Sequence, residues 1–380
     1  MNMLVNASAL RVAGGLSVGL NFLRSLAEID CREHSTHFLA PNGFGYERWQ
    51  KQGLTVELVP SIANNPLYRL YFDNYWLPHA AKRAGATILF SMANIAAPIA
   101  MRQLLLFHWS YAVYPETPLW AQMHPRERLS RRLRLTLFRR RLKYATAVAA
   151  QTETTRRRLI TQYGLEPTCV HVVPNAVSLP EADTSSQQWV GRRENLQGKT
   201  TLLCLSRYYS HKNLEVFHEL GALIKRDKAP FMIVTTIGHD QGPQAVKFLE
   251  GIEKRRLSEV IVNIGPVPMK DVPSLYRSVD GLILPTLLES FSGTYVEAMH
   301  FGIPIFTSDL DFAHDVCRDA AFYFDPLDPL QILSTLGKAY TDKQALEHAV
   351  ERGFELVRSM PSWHDVARQY LSILEQMNGS

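Results

Sequence analysis

Gly281-Leu-Ile-Leu-Pro285 reads as a buried strand running into a loop, and Glu289-Ser-Phe-Ser-Gly-Thr-Tyr-Val-Glu297-Ala-Met299 as a Ser/Gly turn that opens an apolar helix. Gly302-Ile-Pro-Ile-Phe-Thr-Ser308 then reads as the next strand. Strand, loop, helix, strand is a βαβ unit. Ligands of such sheets lie beyond the carboxyl ends of the strands, which is where Glu289 falls. Glu289 and Glu297 straddle the turn, so backbone N–H groups near Ser292–Thr294 would meet a phosphate or sugar oxygen while the carboxylates accept from hydroxyls. An arbitrary pair of glutamates is more commonly surface charge. Here Glu297 sits between Val296 and Ala298-Met299 on a core-facing helix, and a buried carboxylate needs a partner.

Outward from this unit the same alternation runs through the chain. Strands are expected at Met3–Asn6, Thr36–Ala40, Thr55–Val59, Thr87–Phe90, Leu104–Phe107, Ala145–Ala149 and Cys169–Val173, and then at Thr200–Ser206, Phe231–Thr236, Val260–Asn263, Gly281–Leu284, Pro304–Thr307 and Ala321–Phe324. Helical patterns separate them, which predicts α/β architecture with parallel sheets. At 380 residues the chain suits two domains. The boundaries expected are residues 1–180, a polar, turn-rich linker at 181–198, a second domain at 199–360 and a terminal helix at 361–380. Ser362-x-x-Asp365 resembles a capping box for that helix, whose large apolar face is expected to pack across the domain junction.

Composition narrows the function. Apolar and charged fractions of 46% and 20% are those of a globular protein. Four scattered cysteines, Cys31, Cys169, Cys204 and Cys317, fit neither a disulfide framework nor a metal site, so a cytoplasmic location is expected. No secretory signal pattern and no uninterrupted apolar span is visible. Residues 1–180 carry 21 Lys/Arg against 10 Asp/Glu, and residues 181–380 carry 20 against 26.

Nine of the basic residues lie between His124 and Lys143, interleaved with Leu129, Leu133, Leu137, Phe138 and Leu142 at helical spacing. One reading is a solvated helix with a core-facing leucine stripe. The other is a basic amphipathic helix (residues 124–143) lying on an anionic membrane at the inner face. Nucleic-acid binding is disfavoured, because no stacking aromatics or recognisable module accompany the charge.

Phosphate-binding candidates flank the first strand of each half. Gly14-Gly15 follows Met3–Asn6, where small residues can let backbone approach a ligand. Arg207 ends the strand Thr200–Ser206, and Lys212 precedes a helix placed at Asn213-Leu-Glu; both would project toward the sheet's carboxyl edge, Arg as a fork and Lys as a point charge. No P-loop and no Gly-x-Gly-x-x-Gly is present, and no metal-ligand spacing is visible. These features fit a metal-independent site for a nucleoside-diphosphate sugar with no bound cofactor.

With these residues in place the chain resembles the GT-B retaining glycosyltransferases, specifically the large family-four group. The resemblance covers nearly the whole length: Gly14-Gly15, His108, Val173-Pro-Asn-Ala-Val177, Ser206-Arg207 through Lys212-Asn213, Gly265-Pro-Val267, and Glu289 through Met299. It implies two Rossmann-like domains facing across a cleft, with the acceptor on the first and the nucleotide sugar on the second. It further implies that Arg207 and Lys212 stabilise the leaving diphosphate. Glu289 would contact donor-sugar hydroxyls with the backbone of Phe291, Ser292, Gly293 and Thr294; Glu297 would hold the ribose, and Gly265 to Val267 would border the base. His108 would stand near sugar and acceptor, although a lone histidine equally suits a core. Family members commonly have Gly-Phe-Gly where this chain has Ser290-Phe291-Ser292-Gly293, so the sugar is not named from the loop. The expected function is transfer of a hexose or deoxyhexose to a glycan or lipid-linked oligosaccharide in bacterial surface-polysaccharide synthesis. The alternatives are a GT-B sugar-nucleotide epimerase and a noncatalytic glycan- or nucleic-acid-binding relative.

Overall fold

A computed structural model describes residues 1–11, 13–29, 35–49, 54–60, 66–178 and 198–379. The linker expected at 181–198 lies outside them except for Gly198. Two compact units emerge, Met1–Glu116 with Trp120–Ser178 and Pro361–Ser380, and Thr117–Leu119 with Leu179–Met360.

The first unit is built on β1 (Asn2–Asn6), β2 (Ser35–Pro41), β3 (Leu54–Val59), β4 (Ile88–Ser91), β5 (Arg102–Leu106), β6 (Ala147–Ala150) and β7 (Val170–Val172). All described pairings are parallel, in the order β3-β2-β1-β4-β5-β6-β7. Helices cover both faces, so the central strands are buried on both sides and read as continuous apolar runs such as Ile88-Leu-Phe in β4. The order reverses between β1 and β4, where Asn6 pairs in register with Ser91.

The second unit repeats the plan with β8 (Thr200–Cys204), β9 (Phe231–Thr235), β10 (Ile261–Asn263), β11 (Gly281–Leu284), β12 (Ile305–Ser308) and β13 (Ala321–Phe324). Its order is β10-β9-β8-β11-β12-β13, again all parallel, with the reversal between β8 and β11. Two Rossmann-like sheets result, each with one topological switch point at which ligands bind.

The terminal helix Trp363–Gly379 belongs to the first unit. Ser362 and Asp365 form the capping box reciprocally: Ser362 N–H donates to Asp365 Oδ2 at 3.0 Å and Asp365 N–H to Ser362 Oγ at 3.2 Å. Val366, Ala367, Tyr370, Leu371, Leu374 and Met377 are buried in the core that contains β1 and β4. The Tyr370 ring lies 5.6 Å from that of Phe22 and 4.8 Å from that of Phe90. Each fully buried large apolar side chain of this kind contributes about 1.5–3 kcal/mol, so the helix is integral to the first core.

Two local expectations change. Gly14 and Gly15 lie in the first turn of the helix Ala13–Glu28, not in a loop before it. The basic segment is the helix Pro125–Arg141, but Leu129 and Leu133 are 60% and 63% exposed, so the leucine stripe does not face the core as a whole. Phe138 and Leu142 are buried. Arginines of the same helix engage neighbouring groups instead: Arg131 lies 3.9 Å over the Tyr111 ring, exposed Arg134 4.3 Å over Trp109, and Arg141 pairs with buried Asp73. Planar guanidinium groups that stack on rings and pair with a carboxylate outcompete leucine for that face.

Candidate active site

The second switch point brings Lys212 and Glu289 together. Lys212 closes a 3-10 turn, Ser210–Lys212, and Asn213 follows at φ 54° in the left-handed region that asparagine tolerates. The next helix therefore begins only at Val216, three residues beyond the position read from sequence. On the β11 side, Leu287 N–H and Thr286 Oγ1–H both donate to His211 O, at 2.7 and 3.0 Å. That shared carbonyl ties the two loops together. Lys212 Nζ pairs with Glu289 Oε1, and each side chain is little more than a tenth exposed. Arg207 is exposed and has no side-chain partner among the described residues.

Glu297 lies on the helix Gly293–His300, whose cap Ser292 is buried and makes no side-chain capping bond. The Gly293 and Thr294 N–H groups at its start therefore keep the positive end of the helix uncapped by a side chain. Phe291 is half-buried beside them. Tyr276 Oη–H donates to Glu297 Oε2 at 2.8 Å from a fully buried ring stacked 5.2 Å from Phe301. Burial raises the Glu297 pKa, and the Tyr276 hydrogen bond opposes that rise. The partner that a buried carboxylate requires is thus a tyrosine.

Two glycines shape the neighbouring loops. Gly265 sits at φ 75°, a conformation few other residues adopt. A Cβ on Gly238 would lie 2.9 Å from Pro266 and 2.3 Å from Asp240 Oδ1, so only glycine lets the loop after β9 approach the segment Gly265–Val267. Asn263 fixes the same edge, accepting from Ile237 N–H at 2.9 Å and donating back to Ile237 O at 2.9 Å.

In the first unit, His108 follows β5 and is clasped by Asn94 from the loop after β4. His108 N–H donates to Asn94 Oδ1 at 2.7 Å, which orients the amide so that Asn94 Nδ2 donates to His108 Nε2 at 2.8 Å. Nε2 is then an acceptor and the proton resides on Nδ1. Asn94 adopts φ 63° to make this clasp. Burial, and secondarily the charge of Arg134, push the His108 pKa down to about 4, so the imidazole is neutral at physiological pH.

Residues 187–356 match the family model for glycosyl transferases group 1, and residues 14–180 match that for glycosyltransferase family 4. The chain belongs to the GT-B glycosyltransferases, in the family-four group. The fold agrees with the structure of Anabaena HepE in complex with UDP-glucose, at TM-score 0.73 and 14% identity over 99% of this GT-B chain and 100% of that one. In sequence, the GT-B chain is 22% identical over 326 residues to the O-antigen chain mannosyltransferase RfbU of Salmonella typhimurium, covering 81% of each. It is 25% identical over 229 residues to mannosylfructose-phosphate synthase of Agrobacterium fabrum, covering 57% of this chain and 50% of that protein. The GT-B chain spans about half the length of the first curated relatives it matches.

The sequence alone gives no site role to Tyr276 or Asn94. Tyr276 lies 21 positions from its carboxylate partner, and Asn94 lies 14 from His108. Two neighbouring helices, Val272–Arg277 and Gly293–His300, bring the first pair together, and the adjacent ends of β4 and β5 the second. A signal was present for Asn94, which with Ser91 interrupts the otherwise apolar run Ile88 to Ala100.

Proposed function

We propose that the chain is a retaining glycosyltransferase that moves a hexose or deoxyhexose, of the mannose, glucose or rhamnose class, from a nucleoside-diphosphate sugar to a glycan or lipid-linked oligosaccharide. The place proposed for it is the assembly of a bacterial surface polysaccharide. One observation carries the donor half: Lys212 and Glu289 meet at the switch point of the second sheet, with Arg207 on the adjoining loop. Arg207 and Lys212 neutralise the diphosphate as the bond from the anomeric carbon to its oxygen breaks. The acceptor hydroxyl oxygen attacks the same face of that carbon and gives its proton to the departing diphosphate. No separate general base and no metal is needed on this route. Glu289 and the backbone of Phe291, Ser292, Gly293 and Thr294 orient the sugar. Glu297, held by Tyr276, binds the ribose, and Gly265 to Val267 border the base. His108, neutral and fixed by Asn94, serves the acceptor side.

Two of the relatives' names favour this reading: an O-antigen mannosyltransferase among the sequences and a UDP-glucose complex among the structures. A peripheral site on the cytoplasmic face of the membrane is part of the proposal. Among the described residues no helix is long and apolar enough to cross a membrane, whereas Leu129 and Leu133 face outward among exposed Arg126, Arg132 and Arg140. Such a face suits anionic lipid.

Product analysis with purified protein, a nucleotide sugar and a glycan acceptor tests the reaction. The expected product is a glycoside with the donor's anomeric configuration, formed equally well with chelator present. An inverted product contradicts the retaining route, and donor consumption without acceptor establishes the epimerase instead.

A further inference from the structure

The carboxyl edge of the first sheet is crowded with guanidinium groups that the donor chemistry does not use. We propose that Arg134, Arg69 and Arg11 form a recognition site for a phosphate group carried by the acceptor, so that the acceptor class is a phosphorylated one. This rests on the glycosyltransferase reading, because it concerns that reaction's acceptor.

The arginines come from three elements and converge. Arg11 Nε–H donates to Ser8 O at 3.1 Å, and Arg69 Nη1 lies 3.5 Å from Ser8 Oγ. Arg69 also pairs with Asp73 at 3.0 Å, and Asp73 takes Arg141 on its other oxygen at 2.5 Å. Arg141 shares the helix Pro125–Arg141 with Arg134, which stacks on Trp109 next to His108. Asp73 is buried at 2% exposure and sits in a π-helical turn, Phe72–Trp76, an irregularity that recurs at functional sites.

The charges do not balance. Asp73 answers Arg69 and Arg141, and Glu127 answers Arg131 at 2.9 Å, but Arg134 has no carboxylate partner among the described residues. Partial burial and then the charges of Arg131 and Arg69 hold the Arg134 pKa below the ordinary value, and burial followed by the charge of Arg69 does the same to Arg11. An incoming dianion relieves that repulsion. Forked guanidinium groups also match phosphate oxygens in geometry.

A second observation is independent of the arginines. Asn6 and Ser91 end the two strands that flank the switch point and pair in register, and both are fully buried. Asn6 Nδ2 and Ser91 Oγ have no hydrogen-bond partner, although Asn6 Oδ1 accepts from Ser8 Oγ–H at 2.7 Å. Buried orphan groups are rare in native folds, and here both lie at the edge where a ligand is expected. The acceptor oxygens of a phosphate suit a donor amide and a hydroxyl as well as the arginines.

Calorimetry with two pairs of probes tests this: farnesyl phosphate against farnesol, and glucose 6-phosphate against glucose. At least one phosphate probe is expected to bind tenfold or more tightly than its unphosphorylated partner. Which probe does so tells a lipid phosphate from a soluble sugar phosphate. Arg134→Ala should weaken that binding about tenfold or more, and Arg134→Lys by less, because the charge survives without the fork. Arg134 is exposed and has no acid partner, so its removal leaves no buried charge behind. Lys212→Ala should leave the phosphate probe unaffected while weakening UDP. Equal binding of phosphorylated and plain probes overturns the proposal, as does loss with Lys212→Ala and retention with Arg134→Ala. Failure of the wild type to bind any nucleotide overturns the donor reading instead and leaves a measured phosphate site standing.

Discussion

Lys212 and Glu289 pair although 77 positions separate them, because β8 and β11 are neighbours at the point where the strand order reverses. The pair has two jobs in the proposed reaction. Lysine keeps two further donor hydrogens for a diphosphate oxygen, and the carboxylate keeps its second oxygen for a sugar hydroxyl. Lys212→Ala should weaken nucleotide-sugar binding by about 10- to 100-fold, the worth of a charge-assisted hydrogen bond. Glu289→Gln leaves the cation less neutralised, so affinity for the bare nucleoside diphosphate should hold or rise while kcat falls. Titration and steady-state kinetics on both variants separate the roles, and parallel loss of nucleotide affinity in both contradicts the division.

Nucleotide binding should weaken in acid through Glu297. Its pKa is raised by burial, so the folded protein holds a proton there that the unfolded chain releases. Stability contributed by this group is greatest at low pH and falls as pH rises from the ordinary carboxylate range through the raised folded value. Ribose binding needs the ionised form and runs the other way. Tyr276→Phe removes the hydrogen bond that holds the pKa down, and should move the acid limb of the affinity profile to higher pH. An unmoved limb removes Tyr276 from this role.

His108 gives a different pH signature. Its folded pKa, pushed down to about 4, lies below the ordinary histidine value of 6.5. Unfolded chains therefore bind a proton there first, and stability is lost as pH falls from about 6.5 toward 4, by up to about 3 kcal/mol. His108→Gln should flatten that limb of a denaturation series. Asn94→Ala should leave the fold intact, release the tautomer lock and lower kcat more than nucleotide affinity.

Membrane attachment is testable on one face of one helix. Leu129 and Leu133 are exposed, so replacing both with Asp should cost little stability and should abolish sedimentation with anionic vesicles at low salt. Each adjacent Arg contributes about 1 kcal/mol at such a surface and is screened by salt. Wild-type protein that ignores anionic vesicles sinks this part of the proposal.

Much of the fold was legible because a doubly wound sheet writes each strand as a short apolar run between helical patterns. Glu289, Glu297, Arg207 and Lys212 stood out because they border those runs. Of the two readings of the helix Pro125–Arg141 only the core-facing leucine stripe fails, because periodicity identifies a face but not whether leucine or a ring-stacking arginine packs beside Trp109 and Tyr111. The cluster of Arg11, Arg69 and Arg134 was invisible, since strand order alone brings residues so distant in sequence to one edge.

The donor clamp is the centre of this account, and a calorimetric titration with a panel of UDP- and GDP-sugars tests it most directly. Saturable binding of at least one nucleotide sugar to the wild type, weakened tenfold or more by Lys212→Ala, is the result predicted. A wild-type protein with no affinity for any nucleotide, or a Lys212→Ala variant that binds as the wild type does, contradicts it.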